Sequence, residues 1–170
     1  MPRVPASGRP GGAVPGSRVV TSDGAEFEKV PGDVQVHKPL SSRTKARKRA
    51  LDVLFEAEAK RADPLVILDE HLRSGEPPIR EFTVELVRGV VEHARSIDER
   101  ISRATAPDWP LERLAGVDRN LARIAVFEID YTEVAPEAAI AEAVHLADEL
   151  STDESAPFLN GLLAKVVKGD

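Results

Sequence analysis

The feature that most constrains this chain is the helical spacing of its apolar residues from position 42 onward. In the first such stretch, Ala46, Ala50, Val53 and Ala57 fall on one face of a helix over about 43–61. Prolines, glycines and capping residues divide the rest into further helices, and no segment shows the sustained two-residue alternation of a half-buried strand. About seven helices in the 130 residues from 41 to 170 predict an all-α bundle.

Local signals predict where several of these helices begin and end. Asp63, followed by proline, is typical of a helix start, and Gly75 is typical of the end of that helix. Ser96 and Glu99 have the spacing of a capping box and predict the start of a short fourth helix. The stretch 117–131 is apolar nearly all round, which predicts a central, buried helix.

The first 40 residues have a different composition. They hold six of the thirteen prolines and six of the eleven glycines, and one aromatic residue. Such a segment buries too little apolar surface to offset its ordering entropy. We therefore predict a disordered tail over 1–40, followed by a helical domain over 41–170.

The charge of the chain is unevenly distributed. The formal net charge is −6, which by itself argues against a nucleic-acid partner. Residues 41–49, however, hold five basic residues and no acidic ones, whereas 50–170 hold 13 basic and 25 acidic residues. A strongly basic segment attached to an acidic body predicts at least one polyanionic partner.

The basic residues of this segment occupy the first two turns of the first helix. A helix start is the positive end of the helix dipole, so each exposed cation there costs about 0.3–1 kcal/mol. An ordinary solvated face is the alternative interpretation, but bound phosphates would relieve both the dipole and the mutual repulsion. Helical phase predicts that the cations surround the helix end rather than form one stripe. The residues concerned are Arg43, Lys45, Arg47, Lys48 and Arg49.

Catalytic chemistry finds little support in the sequence. The four histidines show no metal-ligand spacing, and the chain has no cysteine to serve as nucleophile or thiolate ligand. We therefore predict no catalytic residue, metal or cofactor, and no enzyme activity. No apolar run approaches the length of a membrane span, so we expect a cytoplasmic protein.

Four sequence blocks, taken in order, resemble the NusB family of bacterial transcription antitermination factors, in an actinobacterial style. They are RTKARKRALDVLF (43–55), VDRNLARIAVFE (117–128), PEAAIAEAVHLA (136–147) and FLNGLL (158–163). The resemblance covers about 42–168 and leaves the tail outside.

The resemblance implies a fold, a function and partners. The family fold is two packed three-helix bundles plus an extra helix. Family members pair with NusE, a ribosomal small-subunit protein, bind the single-stranded boxA element of ribosomal-RNA leader transcripts, and join an antitermination complex on RNA polymerase.

The resemblance also implies site residues. The arginine-rich RNA-binding motif of the family falls on the five cations of 43–49. A second RNA-contacting patch maps onto Glu154, Ser155 and Phe158, where glutamate replaces the aspartate of relatives. The surface that faces NusE includes Asp118 and Arg119, although Asp118 also suits an N-cap or a first-turn acid.

Two other functions deserve comparison with this one. A NusB-like domain also precedes the catalytic domain of some ribosomal-RNA cytosine methyltransferases, but those need catalytic cysteines and a further domain, and this chain ends at Asp170 without a cysteine. A purely protein-binding helical module, whose basic segment docks on an acidic partner, is the other alternative. The sequence leaves a homodimer open.

Overall fold

The computed structural model describes residues 17–20, 26–29 and 41–169. The chain divides into two units, Met1–Ser42 and Arg43–Asp170. In the first unit, strands β1 (Ser17–Val20) and β2 (Glu26–Lys29) pair antiparallel. The sequence did not predict these strands. The rest of the predicted tail lies outside the described residues, and its disorder stays a prediction.

From residue 41 to 169 the structure is helical. Seven α-helices and one short 3₁₀ helix (Leu111–Arg113) follow one another. The all-α prediction with seven helices is therefore confirmed for this part of the chain. The helices are α1 (Ser42–Lys60), α2 (Pro64–Ser74), α3 (Glu81–Glu92), α4 (Ala94–Ala104), α5 (Gly116–Tyr131), α6 (Pro136–Leu150) and α7 (Ser155–Lys168).

Both predicted ends of α2 are confirmed, whereas the predicted N-terminal cap of α4 is wrong. The Asp63 carboxylate accepts a hydrogen bond from the Leu65 backbone at 2.9 Å, and Gly75 ends α2 in the left-handed conformation. The Ser96–Glu99 capping box does not form, because α4 begins two residues before Ser96 and has no side-chain cap. The Ser96 hydroxyl instead hydrogen-bonds the Tyr131 hydroxyl, at 2.8 Å.

Helix α5 lies at the centre of the helical unit, as its apolar sequence predicts. It packs against α3, α4, α6 and α7, and α5, α6 and α7 form a three-helix bundle. Its contact with α3 is very close: a Cβ atom at Gly89 would lie 2.1 Å from the Phe127 ring. Only glycine fits at this position. Most of the buried apolar residues, including those of α1 from Ala50 to Ala57, form one continuous core.

No helix among the described residues is long and apolar enough to cross a membrane.

Candidate nucleic-acid interface

The basic segment forms the start of α1, which has no acidic residue in its first turn. Arg43 and Lys45 are exposed, and Lys48 and Arg49 are half-buried. The Arg43 guanidinium carbon lies 4.3 Å from the centre of the Phe82 ring, a cation–π contact that orients the side chain without neutralising it. These side chains place positive charge at the positive end of a helix dipole, where an anion would be stabilised.

Arg47 has a different environment from the other four cations. Its side chain is 6% exposed, and its Nε and Nη2 atoms donate to the two carboxylate oxygens of Glu128 at 2.8 and 2.7 Å. Its Nη1 donates to Glu142 at 3.0 Å. Burial alone would lower the pKa of Arg47, but the hydrogen bonds and charge of Glu128, with those of Glu142, raise it overall. The side chain points into the helical unit instead of flanking the helix end as predicted.

The inward position of Arg47 has a physical cause on two other helices. Glu128 of α5 is 1% exposed and needs a cation, since a lone buried carboxylate costs several kcal/mol. Glu142 of α6 also accepts from the Thr44 hydroxyl at 2.7 Å. A role for Arg47 in RNA contact stays a prediction, and that contact would require breaking these bonds.

The Arg49 side chain hydrogen-bonds residues of α2 and of the segment that follows it. Its Nη2 lies 3.1 Å from Nδ1 of His71 on α2, and its Nη1 donates to the Pro77 carbonyl at 3.3 Å. His71 in turn contacts Glu56 through Nε2, at 2.9 Å. With a further contact from Nε to the same His71 nitrogen at 3.3 Å, none of the Arg49 hydrogen bonds within the described part of the chain is to a carboxylate, whereas those of Arg47 all are. A phosphate could therefore compete for the guanidinium more readily here than at Arg47.

The second predicted patch lies at the start of α7. Glu154 is exposed, the Phe158 side chain is 36% exposed, and Ser155 is buried. The Ser155 hydroxyl donates to Asp118 at 2.8 Å. All three residues line a cleft of about 400 Å³, which also contains Trp109 of the loop before the 3₁₀ helix.

Asp118 and Arg119 lie in the first turn of α5 with their side chains bonded inside the chain. Asp118 is buried and is a first-turn acid but not the N-cap, which is Ala115. Arg119 donates to Glu58 of α1 at 3.0 and 2.7 Å. Burial alone would raise the pKa of Glu58, but hydrogen bonds from Arg119 and Arg123 lower it to about 2. Their role toward a protein partner stays a prediction.

The second half of the helical unit is strongly acidic. Between Arg123 and Lys165 the sequence has nine acidic residues and no lysine or arginine. We call this stretch, residues 124–164, the acidic stretch. It would repel the backbone of RNA and favour a basic protein.

Sequence reasoning missed two groups of residues. The first group is Glu128 and Glu142, the partners of Arg47. The sequence could have indicated that Glu128 is buried and paired, because it is the one charged residue among the apolar residues 124–129. Trp109 and Arg113 lie on either side of Pro110, and nothing in the sequence connects them with Phe158. Among the described residues there is no group of three or more histidine, aspartate or glutamate side chains that could hold a metal ion.

Fold and interface together define a class: a small protein whose all-α unit presents exposed cations at one helix start and exposed aromatic rings around a cleft. The family model for the NusB family matches residues 44–168. The chain therefore belongs to the NusB family, which confirms the resemblance seen in the sequence.

Individual relatives agree with this assignment. The chain is 52% identical, over 128 residues, to the transcription antitermination protein NusB of Acidothermus cellulolyticus, covering 75% of this chain and 88% of the relative. It is 46% identical to the protein of that name from Cutibacterium acnes, covering 84% of this chain but only 54% of that relative. Among solved structures, NusB of T. maritima is 32% identical with a TM-score of 0.66, covering 76% of this chain and 93% of that one.

Proposed function

We propose that this chain is a transcription antitermination factor that, together with NusE, binds boxA RNA of ribosomal-RNA leader transcripts and joins the antitermination complex on RNA polymerase. Membership of the NusB family carries this proposal, and relatives at 46% and 52% identity are named transcription antitermination proteins. The chain acts by binding rather than by catalysis, and it works in the cytoplasm, where ribosomal RNA is transcribed.

The start of α1 supplies the electrostatic part of RNA binding. Arg43 and Lys45 are free of carboxylate partners in the described part of the chain, and Lys48 and Arg49 are accessible in part. Four phosphate contacts on single-stranded RNA give a log–log salt slope of at most about 2.8. Such a slope is typical of modest affinity, so we expect tight binding only when NusE adds its own contacts.

Charge also supports a basic protein partner. Residues 50–170 hold 25 acidic and 13 basic residues, and a ribosomal protein that binds RNA is itself basic. We propose that Asp118 and Arg119 act at this surface by fixing the start of α5, since their side chains bond to α7 and α1 respectively. Replacing Arg119 with glutamine should weaken NusE binding in calorimetry, whereas replacing the exposed Arg95 should not.

The RNA part of the proposal is tested by titrating labelled boxA RNA and a scrambled RNA, followed by fluorescence anisotropy. The chain alone, NusE alone and the heterodimer are compared. We expect the heterodimer to bind boxA more tightly than either protein and more tightly than the scrambled sequence. Equal affinity of the heterodimer for both RNAs would contradict the proposal.

A charge-matched pair of variants locates the contact. Arg43→Gln/Lys45→Gln should reduce the salt slope by about 1.4, because each lost phosphate contact removes about 0.7. Arg95→Gln/Arg103→Gln removes two exposed cations from α4 and should leave the slope unchanged. NusE binding should survive in both variants. If the α4 variant loses as much RNA affinity as the α1 variant, net charge rather than the start of α1 determines binding.

A further inference from the structure

Helix α2 brings a histidine against the basic residues at the start of α1. His71 lies in the last turn of α2, and its side chain is 22% exposed. Its Nδ1 atom lies 3.3 Å from Nε and 3.1 Å from Nη2 of Arg49, and its Nε2 atom lies 2.9 Å from Oε1 of Glu56. The imidazole ring therefore lies between a guanidinium group and a carboxylate.

These contacts determine which nitrogen of His71 carries the hydrogen. A guanidinium group has N–H donors and no acceptor, so Nδ1 must accept from Arg49. An imidazole whose Nδ1 accepts is neutral and has its hydrogen on Nε2, which here donates to Glu56. The Glu56 carboxylate stays charged, because hydrogen bonds from Lys60 and His71 lower its pKa. The contacts with Arg49 and Glu56 thus select one neutral form of His71.

The contact with His71 occupies an edge of Arg49 that would bind a phosphate through two hydrogen bonds. Nε and Nη2 form one such edge, and both atoms are directed to Nδ1 of the histidine. The third nitrogen, Nη1, donates to the Pro77 carbonyl at 3.3 Å. A phosphate can therefore take the Nε–Nη2 edge of Arg49 only by displacing the imidazole.

A hydrogen on Nδ1 is incompatible with this contact. The protonated ring would direct an N–H donor and a positive charge at the guanidinium group, so the two side chains would repel each other. The hydrogen bond from Nε2 to Glu56 would remain, because Nε2 is a donor in both forms of the ring. Protonation therefore breaks the contact with Arg49 and leaves His71 on Glu56. Histidine is the side chain that ordinarily changes charge between about pH 5 and pH 8.

The other charged groups around His71 belong to α1 and to α2 itself. The charges of Arg49 and His71 both act on the carboxylate of Asp52. Helix α3 packs against α2 but gives His71 no hydrogen bond or salt bridge among the residues that the structure describes. When Arg49 leaves, Asp52 and Glu56 remain beside the ring and favour its protonated form. The remaining charged neighbours are Lys48 and Lys60 on α1, and Asp69, Glu70 and Arg73 on α2.

We propose that His71 is a positioning residue that controls the access of RNA phosphates to Arg49: the neutral imidazole holds the guanidinium group on α2, and the protonated imidazole releases it. This inference rests on the proposed RNA-binding function and adds to it a residue that does not itself contact RNA. The RNA-bound chain binds more protons than the free chain, because a phosphate on Arg49 frees Nδ1 of His71. RNA affinity therefore rises as the pH falls through the range in which histidine titrates.

Two variants of His71 have different expected effects on this coupling. His71→Asn retains an amide oxygen that can accept from Arg49 at every pH, whereas His71→Leu has no acceptor and leaves Arg49 released at every pH. The heterodimer with NusE is titrated into labelled boxA RNA at about pH 6 and at about pH 8, and binding is followed by anisotropy. Between these pH values the wild type should gain on the order of fivefold more affinity than His71→Asn. His71→Leu should bind at the higher pH as tightly as the wild type does at the lower pH.

A matched control removes a different histidine. The ring of His93 stacks on Tyr131, with ring centres 3.7 Å apart, so His93→Asn should keep the wild-type pH profile. Any pH dependence that arises in NusE or in the RNA is common to all these proteins. A merely structural role of His71 would make His71→Asn and His71→Leu weaken binding alike at both pH values, and that result would overturn the proposal. Far-UV circular dichroism checks that each variant is folded.

Calorimetry tests the coupling without any change at His71. The heterodimer is titrated with boxA RNA in two buffers of different ionisation enthalpy, which counts the protons taken up on binding. The wild type should take up more protons than Arg49→Gln, by at most about one per RNA strand. Equal uptake by both would contradict the proposal while boxA binding leaves the proposed function standing. If boxA is not bound at either pH, the proposed function and this inference are both wrong.

Discussion

Replacing Arg47 separates the structural role of a cation from its predicted role in RNA binding. In Arg47→Met, Glu128 would remain at 1% exposure without its cation. Breaking a buried ion pair in this way costs about 3–5 kcal/mol, because the remaining charge has lost both water and partner. Glu142 is less affected: it is 27% exposed and keeps its hydrogen bond from Thr44. The expected loss is therefore set by Glu128.

The double variant Arg47→Met/Glu128→Leu removes both charges and fills the space with apolar atoms. Such replacements are often neutral or stabilising, so its free energy of unfolding should return to within about 1 kcal/mol of the wild type. Urea denaturation followed by far-UV circular dichroism measures both variants. The same double variant, paired with NusE, should bind boxA RNA within about twofold of the wild type.

Two results would refute this reasoning. A loss of less than about 1 kcal/mol in Arg47→Met would mean that Glu128 is not committed to Arg47. If the double variant recovers its stability but loses as much RNA affinity as Arg43→Gln/Lys45→Gln does, the Arg47 guanidinium contacts RNA.

Two further predictions concern packing and pH. Gly89→Ala should destabilise the fold by about 1–3 kcal/mol, because its Cβ would overlap the Phe127 ring. Gly161→Ala, whose Cβ would have nothing within 4 Å, should instead stabilise α7 by about 0.5–1 kcal/mol. If thermal unfolding shows the same change in stability for both variants, the close contact at Gly89 is wrong. The pKa of Glu58 falls from 4.5 to about 2 on folding, so its contribution is present above pH 4.5 and is lost as the pH falls toward 2. Because the Glu58 side chain is 32% exposed, solvent screening reduces that contribution to about 1–2 kcal/mol. Glu58→Gln should remove this pH-dependent stability, whereas replacing the exposed Glu137 with glutamine should not. An acid-unfolding curve of Glu58→Gln that runs parallel to that of the wild type would contradict this.

The parts of the fold that depend on local chemistry were predictable. The Asp63 cap and the left-handed Gly75 each involve residues within a few positions of one another, so the sequence contains all that determines them. The Ser96 cap was wrong because Tyr131, 35 residues away, takes the serine hydroxyl. A local capping pattern cannot report a competing partner from another helix.

The candidate interface, likewise, was predictable only where it depends on residues close together in the sequence. The position of the five cations in the sequence correctly places them at the start of α1, but helical phase does not reveal what faces Arg47. Its partner Glu128 lies 81 residues away and becomes a neighbour only through packing. The cleft is likewise assembled from Trp109 and Phe158, which no periodicity connects.

The acidic stretch between Arg123 and Lys165 has a consequence for stoichiometry. Three of the nine carboxylates are paired with arginines from other helices: Glu128 and Glu142 with Arg47, and Asp130 with Arg100. The six exposed ones that remain repel any RNA strand that is not held by specific contacts, and they repel the same stretch of a neighbouring molecule. Coating of a long transcript by many copies is therefore disfavoured. Under the proposed function, a long leader RNA should therefore saturate at one molecule per boxA element.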